Sequence, residues 1–227
     1  MSATPVRKIV ISAHGDTNWQ EHHLVKQMGL REGQEEKEVE YYGHMDNFGG
    51  VHATMKAYFT GELPQERVRI EITYGEETGM DGAREVAETI TPQDVVIVVD
   101  VTGTVTTNNI VIEKCSNQKL REFVTSVLQN SKISYEVHSD CPDAIMDIDE
   151  TNVYSNVTDL YFFLGLPVRG GDYNEGPVYC FAEDIEKLSE ALILLTREIL
   201  DNFKIDQPFS FDLSGLDNEE INLTDVF

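Results

Sequence analysis

"RVRIEITYGEETGMDGAREVAETITPQDVVIVVD", residues 67–100, decides the fold. "RVRIEITY" alternates, with Val68, Ile70 and Ile72 pointing one way, which predicts a strand with those three residues inward. "MDGAREVAETI" predicts a helix. "DVVIVVD", residues 94–100, is a continuous apolar run that stops on an aspartate, the pattern of a strand buried on both faces. Working outward, "RKIVISA" (7–13) reads as another buried strand ended by Gly15, and "FGGVHATMKAYF" as a helix with Val51, Met55, Ala57, Tyr58 and Phe59 available to a core. "NNIVIEKC" and "ISYEVHS" predict strands, and "NQKLREFVTSVLQNSK" between them an amphipathic helix facing inward through Leu120, Phe123, Val124, Val127 and Leu128. "NVTDLYFFLGLPVRGG" reads as a helix ending near Gly165 and then a strand. "EDIEKLSEALILLTREILDNF" is a long closing helix, and the polar stretch 20–40 an exposed loop or irregular hairpin. Strands alternating with helices predict an α/β protein: a three-layer α/β/α sandwich around a mostly parallel, mixed central sheet.

Composition narrows the partners. The chain of 227 residues carries 41 Asp and Glu against 17 Lys and Arg, a formal net charge of −24. Nucleic acid and anionic membrane surfaces both need an excess of Lys and Arg, so neither is an expected partner. Cations and neutral or basic substrates are. Three cysteines, Cys115, Cys141 and Cys180, follow no motif spacing and suit a reducing compartment. The apolar run near the N-terminus is too short for a signal sequence. No stretch approaches the ~20 apolar residues of a membrane span. The expectation is a cytoplasmic protein.

Chemistry gathers at the carboxyl ends of strands in such folds. Here one predicted strand ends in "HGD", a second in "GEE" and a third on Asp100. His14 and Asp16 flank a glycine, and an aspartate so placed can accept the second ring N–H of a metal-binding histidine. Asp46 lies in "YYGHMDNFGGVHA" at a loop-to-helix junction. Asn47 is positioned to cap that helix, and Gly49 and Gly50 let backbone come close. His52 reads as a surface histidine. Glu76 and Glu77 repel each other, and with a divalent ion nearby they can divide labour. One ligates; the other takes a proton from water that the ion has acidified. Without an ion the pair is only a charged turn.

The order His-x-Asp, Gly-x-x-Asp-Asn-x-x-Gly, Gly-Glu-Glu-x-Gly and "VVIVVDVT" resembles the co-catalytic zinc peptidases. These include the shell-forming and deblocking aminopeptidases and the amidohydrolases that deacylate amino acids. "NNIVIEKCSNQKLREFVTSVLQNSKISYEV" and "SNVTDLYFFLGLP" extend the likeness over most of the chain. The resemblance implies a zinc-exopeptidase-like fold and one or two divalent ions, Zn2+ with Co2+ or Mn2+ as substitutes. It also implies roles. His14 ligates the first ion and Asp16 orients it. Asp46 bridges the ions, which would lie ~3.5–4 Å apart. Glu76 is the general base, Glu77 ligates the second ion, and Asp100 completes the first ion's shell. The implied substrate is a small peptide or an N-acyl amino acid, and a homo-oligomer is compatible with the likeness.

Two departures stand out. The families close the second ion's shell with a histidine after the "GLP" strand, and this chain has no histidine beyond His138. Cys180, in "GGDYNEGPVYCFAEDIEKL", stands roughly where that residue belongs. Asp172, Glu175 and Glu183 are other candidates, and a buried cysteine with no ligand role is an equal reading. The lid or dimerisation insert of the relatives is also missing. The expected organisation is therefore a bare catalytic domain over 1–205 and an acidic tail over 206–227, with six acids and no base. Two functions follow. One is an aminopeptidase-like hydrolase. The other, motivated by the absent histidine, is a catalytically impaired relative acting as a binding or assembly module.

Overall fold

The structure, a computed structural model, describes residues 3–18, 24–138 and 148–206. The acidic tail beyond Asp206, Cys141, His22 and His23 lie outside the described residues. In chain order the elements are β1 Ala3–Pro5, β2 Ile9–His14, β3 Leu24–Leu30, β4 Lys37–Gly43, α1 Phe48–Phe59, β5 Val68–Thr73, α2 Asp81–Ala87 and β6 Val95–Thr102. There follow β7 Ile110–Glu113, α3 Gln118–Gln129, β8 Tyr135–Val137, α4 Thr151–Tyr154, β9 Tyr161–Pro167, β10 Val178–Phe181, α5 Ala182–Asn202 and β11 Lys204–Asp206.

Six strands form the central sheet in the order β5-β2-β6-β9-β7-β8. The first four run parallel. β7 is antiparallel to β9 and parallel to β8. Alternate side chains of the same strands feed two cores. Ile9, Ile11, Ile97, Val99, Phe162 and Leu164 face α1, α3 and α5 in the larger core. Val10, Val96, Val98 and Phe163 face α2 and α4 in the smaller one, with Met80, Ala83 and Tyr154. This is the three-layer sandwich that the alternation of elements predicts. A three-stranded antiparallel sheet, β10-β4-β3, stands beside it, and β1 pairs with β11.

Three expectations are corrected. "YFFLGLP" is a strand, β9, paired between β6 and β7, where the sequence reading placed a helix ending at Gly165. Six of its seven residues are buried, so the apolar run has no polar face to reveal its period. β5 is the edge of the sheet, and Ile72 is 43% exposed rather than inward. The polar stretch 20–40 holds a regular hairpin, with Leu24 opposite Gly43 and Leu30 opposite Lys37.

Candidate metal centre

Parallel pairing brings the ends of β5, β2 and β6 to one edge. His14 closes β2 in register with Thr73 at the end of β5, and Asp100 lies late in β6. The turn after β5 begins at Gly75, whose φ of +72° is a conformation that suits glycine. The Gly75 carbonyl accepts from the Gly79 N–H at 2.8 Å, which curls Glu76 and Glu77 back over the sheet edge. Asp46 arrives from the loop between β4 and α1, next to a cis peptide with Asn47. Asn47 caps α1, its Oδ1 accepting from Gly50 N at 3.0 Å, and its Nδ2 donates to the Val99 carbonyl of β6 at 2.7 Å. One side chain thus fastens the Asp46 loop to the strand that carries Asp100.

His14 is 1% exposed. Its Nε2 stands 3.0 Å from Asp46 Oδ1 and 3.2 Å from Asp100 Oδ2. Its Nδ1 stands 3.2 Å from the main-chain oxygen of Asp16 and 3.7 Å from that residue's carboxylate. Asp16 therefore meets the imidazole mainly through its backbone. Its carboxylate accepts instead from the N–H groups of Glu76 and Glu77, both at 3.4 Å. Asn18 Nδ2 donates to Glu77 Oε2 at 2.6 Å.

Donor atoms of His14, Asp46 and Asp100 lie within 4.8 Å of one another, as do those of His14, Glu76 and Glu77. Five of the residues singled out in the sequence, His14, Asp46, Glu76, Glu77 and Asp100, thus supply donor atoms around one imidazole, and Asp16 approaches it through its main-chain oxygen. Cys180 does not join them. Its side chain is buried in the larger core and donates to the Phe181 carbonyl at 3.5 Å. Burial, reinforced by Asp184 and opposed by Arg31 and Arg169, raises its pKa well above the usual value. A thiol held protonated is a poor zinc ligand. Strand register is the cause: Cys180 sits opposite Tyr41 of β4, turned toward the core. Asp172, Glu175 and Glu183 are absent from both donor groups. From this part of the chain, Tyr173 and Asn174 reach the site. They line a cleft of about 50 Å³ together with Asp46, Glu76, Asp100 and Asp149.

Electrostatics tie the group together. Burial alone would lower the imidazole's pKa, yet the Asp100 and Asp46 carboxylates hold it up at about 12. Glu76 is pushed up to about 8 by burial and by Asp100, Glu77 and Asp46, against the pull of His14. Burial also raises Glu77 and Asp100. Four carboxylates around one buried imidazole repel each other unless they share positive charge. One nitrogen with several oxygens is a donor set that suits zinc, cobalt or manganese. The residues present fit a divalent ion.

Beneath His14 lies a network that sequence reasoning missed. Ser12 Oγ donates to Glu150 Oε2 at 2.7 Å and lies 2.8 Å from the Tyr154 hydroxyl, and Thr73 also donates to Glu150. Glu150 is 1% exposed and its pKa is raised by burial. Nothing in "DIDETNVY" separates this acid from its neighbours; only the tertiary fold does.

A family model described as "Peptidase family M28" matches residues 2–180. No curated protein sequence matches the chain. Among solved structures, an aminopeptidase from the archaeon Desulfurococcus kamchatkensis superposes with a TM-score of 0.56 at 17% identity, over 76% of this chain and 52% of that one. The TET1 peptidase of Pyrococcus horikoshii, described as assembling into a tetrahedron or a large octahedral shell, gives a TM-score of 0.55 at 18% identity, over 75% and 52%. An M18-family aminopeptidase from Thermotoga maritima gives 0.54 at 12% identity, over 69% and 46%. At these identities the likeness shows the fold, and the chain spans about half the length of each of these structures.

Proposed function

The chain belongs to peptidase family M28, and from that premise we propose that it is a metal-dependent hydrolase of peptide bonds, acting as an aminopeptidase. One observation carries the reading: His14, Asp46 and Asp100 form one compact donor group, and Glu76 and Glu77 form another around the same imidazole. When bound there, a divalent ion polarises a carbonyl oxygen and acidifies a water.

The chain's own residues would do the rest. His14, Asp46 and Asp100 hold the ion on the sheet edge. Glu77, held by Asn18, would offer a further carboxylate to the ion, and the Asp16 backbone would orient His14 through Nδ1. Glu76 lines the cleft. It accepts the proton of the attacking water and returns it to the leaving amine. Membership of a peptidase family supports a peptide N-terminus over an N-acyl amino acid. The impaired alternative gains no support from the site, because a positioned base has no use without hydrolysis. Zinc is the proposed ion, with cobalt or manganese as substitutes, and the proposed setting is the cytoplasm. Among the described residues no helix is long and apolar enough to cross a membrane, and Cys115 and Cys180 are free and buried.

The test is a panel of aminoacyl-anilides and N-acyl amino acids, run with zinc, cobalt or manganese. Cleavage of anilides with a free amino group is the expected result. Cleavage of N-acyl substrates alone would make the protein a deacylase, and no cleavage with any ion would overturn the reading.

A further inference from the structure

β3 is the outer strand of the β10-β4-β3 sheet and has no strand partner on its outer side among the described residues. It runs seven residues, "LVKQMGL", without proline. Leu24 is 62% exposed, Met28 53% and Leu30 53%. Natural edge strands are normally protected by charge, proline or brevity, and this one has only Lys26. The apolar surface continues onto α1, where Phe48, His52, Met55 and Phe59 recur at helical spacing on a face turned from the core. Phe48 is 50% exposed and Phe59 75%. Leu24, Phe48 and Met55 line one cavity of about 520 Å³ between the strand and the helix.

Charge says what covers this face. The chain has 41 acids, yet neither β3 nor α1 contains one. The one acid lining the cavity, Glu186 of α5, is paired with Lys56 of α1, so a second copy carrying the same net charge of −24 meets no unpaired acid in this cavity. We propose that β3 pairs antiparallel with β3 of a second copy of this chain across a two-fold axis through Gln27. The two three-stranded sheets then become one six-stranded sheet. A two-fold contact must be self-complementary. This axis sets Leu24 of one copy opposite Leu30 of the other and Lys26 opposite Met28, so no like charges face each other directly. The α1 stripe extends the contact beyond the strand, and the inference stands independently of the catalytic reading.

Light scattering behind size exclusion, on the full chain over a range of concentrations, reads the mass. The wild type is expected at twice the chain mass. Met28→Lys places Lys opposite Lys26 twice per dimer and should weaken association at least tenfold. Adding Lys26→Glu to Met28→Lys restores opposite charges across the axis and should recover the dimer. Val105→Lys, at a site 95% exposed elsewhere, should change nothing, and circular dichroism checks that each variant is folded. A wild type that stays monomeric, its face covered by residues 207–227 or by a different protein, overturns the proposal. So does a folded Met28→Lys that dimerises normally, or a double variant that fails to recover.

Discussion

Glu76 and Glu77 are chemically identical neighbours that the fold places in different company. Asn18 donates to Glu77 and holds it beside His14. Glu76 faces the cleft with Asp46 and Asp100, and its pKa is raised to about 8. Glu76→Gln keeps the shape and removes the base. Turnover should fall by roughly 10²–10⁴-fold with the ion content, measured by atomic emission, unchanged. Glu77→Gln should lower the ion content instead. A Glu76→Gln enzyme with wild-type turnover would exclude Glu76 as the base. At this scale the sequence was most informative where a residue type is scarce or doubled. His14, the Glu76–Glu77 pair and Asp100 at the end of an apolar strand all carry signals of that kind. Asp16 lies beside the imidazole, with its backbone rather than its carboxylate closest to the ring. Position along the chain points to Cys180, whereas Tyr173 and Asn174 line the cleft, because a strand's facing depends on its partners and no count along the chain records it.

Elements deliver these side chains, and α2 shows how tightly. It starts directly after the Gly75–Gly79 turn, and Gly82 N donates to the Tyr74 carbonyl at 2.9 Å. A Cβ on Gly82 would stand 2.6 Å from Tyr74 N and 3.0 Å from Tyr74 O. Alanine normally improves a helix over glycine by ~1 kcal/mol. Here the clash is with backbone that cannot rotate aside, and overpacking of this kind costs about 1–3 kcal/mol. Gly82→Ala should therefore destabilise the protein in a denaturant titration and slow catalysis by shifting Glu76. A stabilised variant with normal activity would show that α2 does not brace the turn. Regular periodicity made α1, α3 and α5 legible, and the apolar run of β6 as well. β9 reads as a helix in the sequence because burial on both faces erases the pattern that separates it from a strand. β1 and β11 are three residues each, too short to carry a period at all.

The whole molecule holds its carboxylates at a cost that depends on protonation. In the ion-free protein Glu76 is raised to about 8, and Asp100 and Glu77 are raised too. A carboxylate with a folded pKa above its unfolded value binds more protons folded than unfolded between those two values. The folded state then loses stability as pH rises through that window. An ion reverses this, because the ligating groups must shed their protons to hold it. His14, held near 12, stays charged across neutrality in the ion-free protein and gives up its proton on binding. Two consequences follow for the intact protein. Adding zinc or manganese at pH 7 should release protons, seen as binding heats that differ between buffers of unequal ionisation enthalpy. The gap in melting temperature between loaded and chelator-stripped protein should also widen from pH 6 to pH 8. A hundredfold excess of ion over its Kd adds about 2.7 kcal/mol, enough to read easily. Glu76→Gln should narrow the pH dependence of that gap while leaving the gap itself. Equal heats in all buffers, or a gap that does not change with pH, would mean that these carboxylates are not the groups that surround the ion.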